Sequence, residues 1–212
     1  MKFRTEIEPL RGAEPIDHEA KIAMLGSCFT TEVGARLLTD GFDVAVNHMG
    51  PLYNPASLAR VITRALDGYR YNASDFVKHG TVYHALDFPS RYQDSDPELL
   101  AERVNADFQP LAKRLREADL WIITFGTSHI FEYEVNTVAG NCHKLPPAFF
   151  SDRYLRIDET VELWRPLTEG RRVIFTVSPI RHVADGLHGN QLSKSRLLLA
   201  IDELCLSGRA EY

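Results

Sequence analysis

The chain has 212 residues, 44% hydrophobic and 25% charged, with 24 basic against 29 acidic side chains and a formal net charge of −5. That length and composition suit one domain with a sizeable core and exclude disordered, collagenous and coiled-coil chains. The acidic balance excludes a broad nucleic-acid face, which needs clustered Lys and Arg. Cys28, Cys142 and Cys205 are too few and too scattered for a disulfide scaffold, and no C-x-x-C pair signals structural zinc. No apolar run approaches a membrane span, and the first twenty residues hold no signal-peptide core. The expected setting is the cytoplasm, with reduced thiols and no membrane contact.

In chain order, Lys21–Leu25 is an apolar run that stops at Gly26-Ser27, and residues 21–26 are the first predicted strand. Val33, Leu37 and Leu38 fall at helical spacing over 30–38. A second strand is predicted over 43–47. Asn54 as cap and Pro55 at the first helical position open a helix whose apolar stripe is Leu58, Val61, Ile62, Ala65 and Leu66. Residues 67–97 carry no assignable period. Leu100, Val104, Phe108, Leu111 and Leu115 mark a helix over 98–117, expected to kink or restart at Pro110. The run at 119–125 reads as a strand buried on both faces. Residues 130–143 read as a hairpin turning near Asn136-Thr137. A helix at 158–168, a strand at 172–178 and a helix at 190–205 complete the pattern. Strands alternating with helices predict a parallel sheet with helices on both faces.

In such sheets ligands bind beyond the carboxyl ends of the strands. Those ends read Gly26-Ser27-Cys28, Asn47-His48-Met49-Gly50, Gly126-Thr127-Ser128-His129 and Ser178-Pro179-Ile180-Arg181-His182. Ser27, where strand hands over to helix, is either a nucleophile beside helix amides or a plain helix cap. Cys28 is its rival, because helix N-termini favour thiolates in general. One of two neighbours on a turn faces the cleft. The expectation is that Ser27 does and that Cys28 points into the fold. His182 and His188 follow a strand tip. Asp185 and His188 have a spacing at which a carboxylate can orient an imidazole for base catalysis. His182, Asp185 and His188 could also be read as metal ligands, but no matching set completes them, so no metal and no cofactor is expected. Asn141 and His143 close the hairpin, where a side chain could donate to an oxyanion.

Gly26-Ser27-Cys28-Phe29 resembles the opening of the GSCFA family. Leu52-Tyr53-Asn54-Pro55, Asn141-Cys142-His143-Lys144 and the block from Ser178 to Lys194 resemble it further, over about residues 21 to 206. That family is grouped with the SGNH/GDSL hydrolases. The resemblance implies a flavodoxin-like three-layer α/β/α sandwich with a parallel sheet and a serine esterase or acetylesterase. Ser27 would be the nucleophile and Gly50 and Gly126 oxyanion-hole glycines, with Thr127, Asn141 and His143 around the substrate. The third block usually reads Gly-x-Asn-Asp; here it is Gly126-Thr127-Ser128-His129, and Asn141 is the stand-in. The implied partner is a small-molecule or glycan ester. The alternative is a non-catalytic module binding an acyl or glycan ligand on the same fold.

The base of that superfamily sits on an Asp-x-x-His after a fifth strand. Asp185 and His188 follow the fourth, so the domain is expected to be C-terminally incomplete. An uncovered sheet edge would invite pairing with a second copy, a homo-oligomer. Leu197, Leu198, Ile201 and Leu204 would then be partly exposed.

Overall fold

The structure, a computed structural model, describes residues 14–134, 137–206 and 210–211. Its centre is a four-stranded parallel sheet: β1 (Lys21–Gly26), β2 (Asp43–Val46), β6 (Leu120–Phe125) and β10 (Val173–Val177), in the order β10-β6-β1-β2. These match the four predicted strands. Register runs Ala23 to Ala45, Ala23 to Trp121, and Trp121 to Val173.

Alternation divides the strands between two faces. Ala23, Leu25, Trp121, Ile123, Phe125, Val173 and Phe175 enter the larger core. It includes side chains of α2 (Pro55–Leu66), α3 (Pro97–Glu117), α4 (Ile157–Thr168) and α5 (Gly186–Leu206). Ile22, Met24, Val44 and Leu120 form a second core with Val33 and Leu37 of α1 (Cys28–Thr39). The result is a three-layer α/β/α sandwich. Each core residue on the inner strands loses its hydration, about 1.5–3 kcal/mol for a Val, Leu, Ile or Phe side chain.

Local signals act as the sequence indicates. Asn54 Oδ1 accepts the Ser57 N–H at 2.8 Å, with Pro55 in the first turn of α2. Asp96 caps α3 in the same way, and α3 runs through Pro110 as one helix instead of restarting. The stretch without a period holds a small antiparallel sheet, β3 (Val77–His79), β4 (Val82–His84) and β5 (Gln93–Asp94). Three strands this short are below the window in which a period of two can be counted. The predicted hairpin forms as β7 (His129–Tyr133) and β8 (Thr137–Ala139), joined on the far side of β7 by β9 (Phe150–Tyr154). The expected turn position at Asn136 lies outside the described residues.

The forecast for α5 is corrected. Leu197, Ile201 and Leu204 are buried, and of the four only Leu198 is exposed. The reason is α4, whose Val161, Trp164 and Leu167 join Phe175 in the core that these leucines complete. At the outer edge of β10, Glu211 pairs in parallel with Ile174 and its side chain meets Arg172.

Candidate active site

All four sheet strands are parallel, so Gly26, Val46, Phe125 and Val177 end on one edge. Ser27, Gly50, Gly126 and His182 follow those ends, as expected. Gly26 makes the close passage that the site needs. Its φ is +147°, and a Cβ there would run into the Thr124 carbonyl oxygen and Thr30 Oγ1. The residue that follows is extended, with φ −69° and ψ 178° at Ser27. Ser27 lies inside the fold. Its side chain is 1% exposed and its Oγ has no hydrogen-bond partner. The helix then begins at Cys28, which is exposed. The expected assignment of the two neighbours is therefore reversed: Cys28 faces outward and Ser27 is enclosed.

Around Cys28 the sheet edge is tied together through Gly126. The Gly126 and Thr127 N–H groups donate to the Tyr53 carbonyl at 2.7 and 3.0 Å. Lys194 Nζ, reaching back from α5, donates to the Gly126 carbonyl at 2.5 Å and the Ser178 carbonyl at 2.7 Å. The His182 ring stands edge-on to Tyr53, centroids 6.2 Å apart, and its backbone N–H donates to Asn190 Oδ1. Burial, and then the Cys28 charge, push the Tyr53 hydroxyl above its ordinary value. Burial holds Lys194 below its ordinary value against the pull of Cys28. Burial, then the Lys194 charge, hold His182 below the usual imidazole value. Asp185 and a hydrogen bond to the Gly126 backbone oppose this. His182 is thus neutral at pH 7, as a proton acceptor must be.

The other expected site residues go elsewhere. The Gly50 N–H is spent on the Asn47 carbonyl at 2.6 Å, in a turn with φ +97°. The Gly126 N–H is likewise taken by Tyr53, so in this geometry neither glycine offers the free amide that an oxyanion hole needs. Thr127 Oγ1 hydrogen-bonds Ser193 Oγ at 3.0 Å in a buried hydroxyl cluster. Asp185 does not orient His188, which is exposed. Its carboxylate meets His129 Nδ1 at 3.1 Å, while His129 Nε2 meets Asp152 at 2.8 Å. An Asp-x-x-His pair at the start of a helix need not face itself when a third residue on β7 competes for the carboxylate. Asn141 Oδ1 caps the His143 N–H, and His143 is buried with Nε2 on the Ala85 and Phe88 carbonyls. Both belong to the supporting loops. Among the described residues no three His, Cys, Asp or Glu side chains converge to hold a metal ion.

Lys194, Tyr53 and His129 were not singled out by sequence reasoning. The first two lie in the stretches 52–55 and 178–194 that carry the family resemblance, so the signal was present without a geometry to interpret it. The GSCFA family profile matches residues 21–212. The chain belongs to the GSCFA family. That span includes every residue of the rim, from Cys28 to Lys194. No curated protein and no solved structure matches the chain. No helix among the described residues of this GSCFA protein is long and apolar enough to cross a membrane.

Proposed function

We propose that this GSCFA protein hydrolyses small-molecule or glycan esters by covalent acyl transfer at the sheet edge, in the manner of the SGNH/GDSL hydrolases, with Cys28 as nucleophile. The observation that carries the nucleophile is the contrast on one turn: an exposed thiol beside an enclosed serine hydroxyl. In this reading His182, neutral and half-buried, takes the Cys28 Sγ proton. The sulfur attacks the ester carbonyl carbon, and the carbonyl π pair moves onto oxygen. The tetrahedral anion collapses, the C–O bond to the alcohol breaks, and the departing alkoxide takes the proton from His182. The product is a thioester on Cys28. Water attacks it with His182 again as base, releasing the acid and restoring the thiol. No cofactor enters these steps. A cytoplasmic setting, where thiols stay reduced, suits them.

The test is p-nitrophenyl acetate hydrolysis by the wild type and by Cys28→Ala, Ser27→Ala and His182→Gln. Loss in Cys28→Ala with retention in Ser27→Ala supports this reading. The reverse pattern restores Ser27 as nucleophile. Absence of turnover in every form, with saturable binding of an acylated sugar, favours the binding module.

A further inference from the structure

Lys194 is a half-buried ammonium that meets carbonyl oxygens and no carboxylate among the described residues. Its two hydrogen bonds go to Gly126 and Ser178, the first residues beyond β6 and β10. Several other partly buried cations have acidic partners, Arg60 and Arg64 on Asp87, Arg114 on Asp43 and Arg172 on Glu211, while Arg196 on the same helix lies over the Tyr154 ring. A carbonyl pair solvates an ammonium but does not neutralise it. Three donors on Nζ less two carbonyls leave one N–H for another acceptor. The exposed thiol of Cys28 stands on the first turn of α1, just beyond β1, the strand that pairs with β6.

We propose that the Lys194 ammonium is the charge partner of Cys28, stabilising its thiolate and then the anionic tetrahedral intermediate. The two carbonyls hold Nζ at the ends of β6 and β10, so the charge is in place before a substrate arrives. A cation fixed at this edge favours negative charge that develops beside it. Lys194 also disfavours the protonated ring of His182, so the base is neutral until it takes the thiol proton. This role rests on the reading of Cys28 as nucleophile, but its test needs no ester turnover.

Cys28 is alkylated at pH 7 with neutral iodoacetamide and with anionic iodoacetate, and the modified peptide is quantified by mass spectrometry. Cys142 and Cys205 serve as internal references. In Lys194→Met, iodoacetamide is expected to react at Cys28 about tenfold more slowly. The iodoacetate-to-iodoacetamide ratio at Cys28 should fall severalfold, and Lys194→Arg should restore both. A purely structural role for Lys194 would not move the ratio, which compares two reagents on one thiol. If Lys194→Met fails to fold, the wild-type ratio must still fall as salt rises from 0.01 to 0.5 M, since a nearby cation is screened. Equal rates and ratios in folded Lys194→Met and wild type overturn the proposal, as does a salt-independent ratio. If Cys28→Ala keeps full esterase activity while Lys194 still governs alkylation, the nucleophile reading fails and only the pairing of Lys194 with the Cys28 thiolate stands.

Discussion

Two of the polar clusters among the described residues are built on opposite rules. Beneath α2, Asp87 is 7% exposed and binds Arg60, Arg64 and the Tyr71 hydroxyl at once, with Asp75 on the far side of Arg64. Two arginines face two carboxylates, and the charges cancel. Burial, then Asp87, push the Tyr71 hydroxyl far above its ordinary range, so that it stays a neutral donor. At the sheet edge, Lys194 has carbonyls for company and His182 is kept neutral beside it. A cluster that cancels its own charge pins a loop. A cluster that leaves a cation uncancelled is prepared for an anion that comes and goes.

The largest effect that would sharpen this contrast is at Cys28. Cys28→Ala should lower p-nitrophenyl acetate turnover by at least about 10³-fold, the scale of a lost nucleophile. Its unfolding midpoint in urea should stay close to wild type, because the side chain is exposed. Ser27→Ala should keep turnover within about tenfold. It should also raise stability by about 1 kcal/mol, because it removes a buried hydroxyl that has no partner. A stable, inactive Ser27→Ala would break the assignment.

The second effect belongs to the cancelled cluster. Asp87→Asn leaves Arg60 and Arg64 with Asp75, 3.9 Å from Arg64, as their remaining counter-charge. The expected loss is about 2–4 kcal/mol of unfolding free energy, less than for a fully buried pair because the guanidiniums touch water. Turnover per folded molecule should not change. Lost turnover in a folded Asp87→Asn protein would mean that the two clusters are not separate.

The frame of the site was partly legible in the sequence, whereas the Asp87 cluster, set in a stretch with no assignable period, was not. The four strands were visible because two-sided burial writes continuous apolar runs such as Leu120–Phe125, and the capped start of α2 because Asn54-Pro55 is a local signal. The rim followed from parallel topology. What could not be read was direction. Whether Ser27 or Cys28 faces out depends on where extended backbone ends and helix begins, a one-residue matter that Gly26 decides through its contact with Thr124. The partner of Asp185 was hidden for a related reason: His129 comes from a hairpin 56 residues away in sequence. The placing of Asn141 and His143 in the site followed hairpin-exit polarity. That polarity serves instead to fasten the Ala85–Phe88 turn.

The third effect is a pH profile. Neutral His182 is required, so turnover should fall as pH drops through its value. That value lies below the ordinary 6.5 or so because burial and Lys194 disfavour the protonated ring. In Lys194→Met one of those causes is gone, and the acid limb should move to higher pH while the maximal rate also falls. An acid limb that stays in place would detach His182 from Lys194.

The smallest effect separates catalysis from fold stability within the same pH range. His143 Nε2 donates to the Ala85 and Phe88 carbonyls, so in the neutral ring Nδ1 is an acceptor. His84 Nδ1, 3.4 Å away, is then the donor of the pair. Burial lowers both values, and at His84 the neighbouring His143 lowers it further. In the unfolded chain both rings take up protons near pH 6.5. Below that pH the unfolded state therefore binds more protons than the folded one, and stability falls as pH falls, levelling off once the folded rings are also protonated. Urea unfolding at pH 7.5, 6.5 and 5.5 should show this decline. It should be shallower in the double variant His84→Gln, His143→Asn, in which Asn tolerates the positive φ of 52° at position 143. The acid limb of turnover should be the same in that variant as in wild type, because His182 and Lys194 are untouched. If flattening the stability curve also flattens the activity limb, loss of turnover in acid reports unfolding and His182 has no part in it.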